Sequence, residues 1–106
     1  MSDFDITIFR GDTPTLEFTF LDGETSQPLN LSGWTLYFAV KHSDGTLLIN
    51  KLMTVTDPTN GTAQVALTAS ETNAVGIHIA EIESRKDADI LTLVQGLLRI
   101  RNDVRP

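Results

Sequence analysis

Residues 34–41 read Trp34-Thr35-Leu36-Tyr37-Phe38-Ala39-Val40-Lys41, with Trp34, Leu36, Phe38 and Val40 alternating against Thr35, Tyr37, Ala39 and Lys41. Successive side chains of a strand point to opposite faces, so this period-two run predicts a half-buried strand; helical spacing would scatter the same residues. The pattern recurs on both sides. Leu16, Phe18 and Phe20 alternate with Thr15, Glu17 and Thr19, and Ala63, Val65 and Leu67 alternate with Thr62, Gln64 and Ala66. Further apolar stretches lie at 6–9, 46–49, 77–82 and 90–100. Between them fall Asp22-Gly23, Ser43-Asp44-Gly45, Asp57-Pro58-Thr59-Asn60-Gly61 and Arg85-Lys86-Asp87-Ala88-Asp89, whose residues favour turns or the positive φ that turns require.

These segments predict an all-β fold, an immunoglobulin-like antiparallel β-sandwich of about seven short strands joined by hairpins. A small closed barrel is the structural rival. The whole of 1–106 reads as one domain, with 1–4 and 101–106 as flexible ends or connector. One helical turn is expected over 68–74, where Thr68 and Glu71 have the spacing of a capping box. Along 90–100 the even positions include Val94, Gly96, Leu98 and Ile100. A core-facing even register would set Gly96 beside a large neighbour, with Trp34 the candidate, and would turn Leu91, Leu93 and Leu97 outward. Trp34 is expected at the centre of the core, where its truncation to Ala would cost about 3–5 kcal/mol.

Composition excludes whole classes. The 106 residues carry 8 Lys and Arg against 14 Asp and Glu, a formal net charge of −6, and no Cys. Disulfides, thiolate zinc sites and thiol nucleophiles are ruled out. The acidic balance disfavours nucleic acid and anionic membrane surfaces as partners. The acidic start Met1-Ser2-Asp3-Phe4-Asp5 leads directly into alternation, so no signal peptide is expected and no apolar run has the length of a membrane span.

No motif prescribes catalysis. His42 sits in a turn and His78 in a strand, neither with a spaced nucleophile or acid partner, so His42 reads as a solvated turn residue, His78 as ordinary packing, and an enzyme is not expected. The pairs Asp3-x-Asp5, Glu81-x-Glu83 and Asp87-x-Asp89 could offer oxygens to calcium, but no DxDxDG loop is present, and charged strand ends explain them. Neither a metal nor a cofactor is expected. Arg10-Gly11-Asp12 spells an adhesion tripeptide, yet Gly11 more simply breaks the first strand. The stretch 77–82 is apolar on both faces, so outward Ile77, Ile79, Leu91, Leu93 and Leu97 would form a patch suited to another protein.

Several stretches taken in order resemble the immunoglobulin-like N-terminal domain of phage and prophage baseplate upper proteins. They are Phe9-Arg10-Gly11-Asp12 before Leu16-x-Phe18-x-Phe20; Leu29-Asn30-Leu31-Ser32-Gly33-Trp34-Thr35 leading into Phe38-x-Val40-Lys41; Asp57-Pro58-Thr59-Asn60-Gly61; Leu67-Thr68-Ala69-Ser70-Glu71-Thr72; and Gly96-x-Leu98-x-Ile100 with Asp103-Val104. Val75-Gly76-Ile77-His78 departs from the family's usual Pro-Gly-Thr-Tyr. The resemblance implies a virion tail or baseplate component, made in the host cytoplasm, that binds other tail or baseplate proteins, with self-association as a second mode of contact, and without catalysis. The alternative is a carbohydrate-binding sandwich module of a larger surface or enzyme chain. It would need aromatic platforms, for which Tyr37 and Phe4 remain once Trp34 is assigned to the core.

Overall fold

The computed structural model describes residues 4–22, 24–42 and 44–102. Among them are eight strands: β1 (Phe4–Phe9), β2 (Thr15–Thr19), β3 (Thr35–Lys41), β4 (Leu47–Leu52), β5 (Thr54–Asp57), β6 (Thr62–Ala66), β7 (Gly76–Lys86) and β8 (Asp89–Arg101). They form a five-stranded sheet in the order β1-β8-β7-β3-β4 and a three-stranded sheet in the order β2-β6-β5. This is the expected sandwich, with two refinements. The pairing of β1 with β8 is parallel, while the other pairs are antiparallel. The additional strand is β5, reached where buried Met53 donates its N–H to Leu36 O at 2.9 Å and the chain crosses from one sheet to the other.

The alternating residues build the core as their period demands. Leu36, Phe38 and Val40 of β3, Ala63 and Val65 of β6, Ala80 and Ile82 of β7, and Leu98 and Ile100 of β8 are all buried. Phe38, fully buried, is the central aromatic. Phe18 of the opposite sheet lies 6.0 Å from it and also touches Phe4 at 5.4 Å and Phe20 at 6.2 Å. Trp34 does not occupy this centre: it precedes β3, is half-buried, packs on the margin of the core, and has the Lys86 amine 5.8 Å from its ring. Gly96 does make room for an aromatic ring, but the ring is Phe4. A Cβ there would fall on the Phe4 carbonyl oxygen and within 2.8 Å of its ring, so the missing side chain is what lets β1 lie against β8.

The turn at 68–72 forms as the capping box prescribes. Thr68 N–H donates to Glu71 Oε1 at 2.8 Å and Glu71 N–H donates to Thr68 Oγ1 at 3.3 Å. Buried Thr72 then donates its hydroxyl to Asp12 O at 2.8 Å, while Gly11, at φ 82°, donates to Thr72 O at 3.3 Å. The Arg10-Gly11-Asp12 tripeptide is thereby part of a structural joint. A 3₁₀ turn at Pro58–Asn60 closes the β5–β6 hairpin, with Gly61 in the left-handed region at φ 70° and the Asn60 amide donating to Asp57 at 2.7 Å. Asp3, Gly23, Ser43 and 103–106, on which a carboxylate pair, two turns and a connector were expected, lie outside the described residues.

Glu71 also joins the sheets. Lys51 of β4 places its amine 2.9 Å from Glu71 Oε1 and donates to Ala66 O at the end of β6. Partial burial pushes the Glu71 carboxyl up, but the hydrogen bonds from Lys51 and from Thr68 outweigh it and hold the group below its ordinary value. A carboxylate lowered in this way stabilises the fold above its unfolded pKa, and the contribution disappears as pH falls through its folded value. Glu71→Gln is therefore expected to cost about 0.5–2 kcal/mol at pH 7, with the difference from wild type vanishing in urea titrations run in acid. Phe38→Ala is expected to cost about 3–5 kcal/mol and Trp34→Ala distinctly less, compared by the same urea titrations at pH 7.

Candidate protein interface

The two outer faces of the sandwich differ in chemistry. On the three-stranded sheet the outward positions are Thr15, Glu17 and Thr19, Thr62, Gln64 and Ala66, and Thr54 and Thr56. That is a solvated, threonine-rich surface. On the five-stranded sheet Ile79 of β7 stands opposite Leu97 of β8, and Ile77 stands opposite Arg99. Ile77 is 57% and Ile79 46% exposed, and Leu97 is half-buried. Large aliphatic groups with this exposure on the inner strands β7 and β8 form an apolar strip that water disfavours.

Only three of the five residues expected in the outward patch share this strip. The β7–β8 register slips between Ile82 and Glu83: Ile82 faces Val94 and Glu83 faces Thr92, leaving Leu93 as an extra residue. A bulge of this kind moves every later side chain to the opposite face. Leu93 is consequently half-buried against the core. Leu91, opposite buried Ser84, turns to the inner side and lines a small cleft with Trp34, Leu29 and Leu31 while staying 53% exposed. Its predicted membership of the outer patch is corrected for that reason, and so is that of Leu93. Ile90, 61% exposed, takes the outward place instead.

Charged groups surround the strip. Arg99 Nε donates to Asp5 Oδ1 at 2.9 Å across the β8–β1 pair, and Arg85 Nε donates to Glu83 Oε1. Each arginine is held above its ordinary pKa by its carboxylate partner. Lys41 and Glu81, set diagonally around Ile79 and Ala39, make no ion pair with any described residue. Of the expected carboxylate pairs, Asp5 and Glu83 enter ion pairs, Asp87 and Asp89 lie at the β7–β8 hairpin tip and Glu81 stays on the open sheet face, and among the described residues no group of three His, Cys, Asp or Glu is placed to hold a metal.

The remaining candidates fall into structural positions. His78 is buried and donates Nε2–H to Ala74 O at 2.7 Å, with its Nδ1 left without a partner. His42 packs its ring edgewise on His78 at 4.8 Å, so it is half-buried where a solvated turn residue was expected. Its neighbour Asp44 is held below the ordinary carboxylate range chiefly by the Thr46 N–H and hydroxyl. Tyr37 lies on the outer face with the Arg85 guanidinium 4.8 Å above its ring. Of the two candidate sugar platforms, Tyr37 therefore has a cation over its ring and Phe4 packs edgewise on Phe18.

The family model of the BppU N-terminal domain matches residues 1–95. The chain belongs to this family of baseplate upper protein N-terminal domains. BppU membership supports a structural role in the phage baseplate. Among solved structures the fold is similar to the N-terminal domain of phage TP901-1 ORF48, at 16% identity and a TM-score of 0.66, over 91% of this chain and 83% of that one. It is also similar to part of a family 123 glycoside hydrolase from Clostridium perfringens, at 13% identity and a TM-score of 0.54, over 98% of this chain but 24% of the hydrolase. At these identities the two likenesses establish the fold alone. No curated protein sequence matches the chain.

The partition of the strip is directly testable. Ile79→Asp, at an exposed position, is expected to change stability by less than about 1 kcal/mol. Leu93→Asp would set a charge against the core and is expected to cost about 3 kcal/mol or more. Chemical denaturation of both variants checks the order.

Proposed function

We propose that this BppU-type domain is an adaptor in a phage tail or baseplate, binding neighbouring tail proteins through the outer face of its five-stranded sheet and working without catalysis. The observation that carries the reading is the apolar strip of Ile77, Ile79 and Leu97, bordered by ion pairs, on one outer face of a sandwich whose other outer face is mostly threonine, with Glu17, Gln64 and Ala66. An apolar centre with a polar, charged rim is the usual anatomy of a protein-binding surface. On this reading the protein accumulates in the host cytoplasm during assembly and ends in the virion. A sugar-binding role finds less support, because the Arg85 guanidinium lies over Tyr37 and Phe4 packs against Phe18.

The test is co-expression with tail and baseplate proteins encoded beside it, followed by affinity capture and titration calorimetry on the captured pair. Ile79→Asp is expected to weaken that complex at least tenfold while leaving the thermal melt within a few degrees of wild type. Unchanged affinity in a folded Ile79→Asp protein would exclude this face as the contact.

A further inference from the structure

Resting on the reading of this face as a contact surface, the sheet register points to one particular occupant: we infer that a second copy of the chain docks on it about a two-fold axis. The outward residues form a grid. Across the strands the row Asp5, Leu97, Ile79, Lys41 is fixed by pairing, and the adjacent rows place Arg99 beside Ile77 and Glu81 beside Ala39. With strands about 4.8 Å apart and same-face residues about 6.7 Å apart along each strand, these positions can be mapped on a plane.

An axis lying in the interface and bisecting the Lys41–Glu81 diagonal at right angles, so that it passes between Ile79 and Ala39, exchanges Lys41 with Glu81. The same axis exchanges Asp5 with Arg99, to within about 1 Å on this grid. Ile79, Leu97 and Ala39 fall within about 2 Å of the axis, so each meets its own counterpart or an apolar neighbour of it. One operation therefore pairs opposite charges four times and apolar groups along the middle, the self-complementarity that an isologous contact requires. Lys41 and Glu81, which find no ion-pair partner among the described residues, acquire one in the partner's Glu81 and the partner's Lys41.

The packing class and the charge balance agree with this. Strands related by that axis cross steeply, in the orthogonal class of sheet packing. The chain as a whole carries −6, yet this face sets Asp5, Glu81 and Glu83 against Lys41, Arg85, Arg99 and Arg101, so it does not repel its own copy. The footprint, about five strands wide and five residues long, is on the order of 400 Å² per copy, the size of a weak and reversible contact.

Sedimentation equilibrium from about 5 to 500 μM is expected to show reversible dimerisation at the upper concentrations. Lys41→Glu and Glu81→Lys should each weaken it at least tenfold with the fold intact by circular dichroism. The double reversal should restore it, and so should mixing the two single variants, because each supplies the charge the other needs. A monomer at every concentration overturns the inference, as does a dimer indifferent to both single reversals. Binding of a tail protein, measured separately with Ile79→Asp, decides the adaptor reading: a monomer that still binds it through Ile79 removes only the dimer, and a dimer with no tail partner removes only the adaptor.

Discussion

The contact of Phe18 with Phe38 is the joint on which the two sheets depend. One ring comes from the three-stranded sheet and the other from the five-stranded sheet, 6.0 Å apart, and Phe4 closes on Phe18 edgewise from the end strand β1. A sandwich without Cys has no covalent tie between its layers, so burial of these rings and of the aliphatic groups around them holds the layers together. Much else follows from where they sit. Phe4 reaches the cluster only because Gly96 has no Cβ, and the parallel β1–β8 pair is the backbone consequence of that docking.

Alternation made most of the fold legible in the sequence. Leu36, Phe38 and Val40 lie inward as their period requires, and the Thr68–Glu71 capping box closes with both of its hydrogen bonds. Period cannot report which inward aromatic stands at the centre. Trp34 fits the alternation but lies before the first ladder pair of β3, so it covers the margin and Phe38 fills the middle. Nor can period report parallel pairing of the first strand with the last, a matter of long-range docking. The short strand β5 escaped because Thr54-Val55-Thr56-Asp57 offers one apolar residue, and its ladder with β6 is what defines it.

The candidate surface was legible in part, and the missing information is one residue wide. A strict alternation from Leu98 back to Leu91 sends Leu93 outward; the extra residue between Thr92 and Val94 sends it in. The adjacent apolar pair Leu93-Val94 was the available signal, since two neighbouring residues can both face a core only across an irregularity. Ile77, Ile79 and Leu97 lie on the near side of the bulge, where register is intact.

That division bears on how such a domain can assemble through a face without aggregating through its edges. Exposed strand edges recruit further strands unless something interrupts them. At the β4 edge, Lys51 points inward and binds both Ala66 O and Glu71, placing a charge where an added strand would need an apolar neighbour. At the far end of the β7–β8 hairpin the tip is charged, and Asp87 takes a φ of 54° that ends the ladder in a tight turn. The sheet face between these guarded margins is where apolar groups are left uncovered and charges of both signs are balanced. Specificity can then come from the diagonal placement of Lys41 and Glu81 around Ile79, because a partner must match sign as well as shape at that spacing.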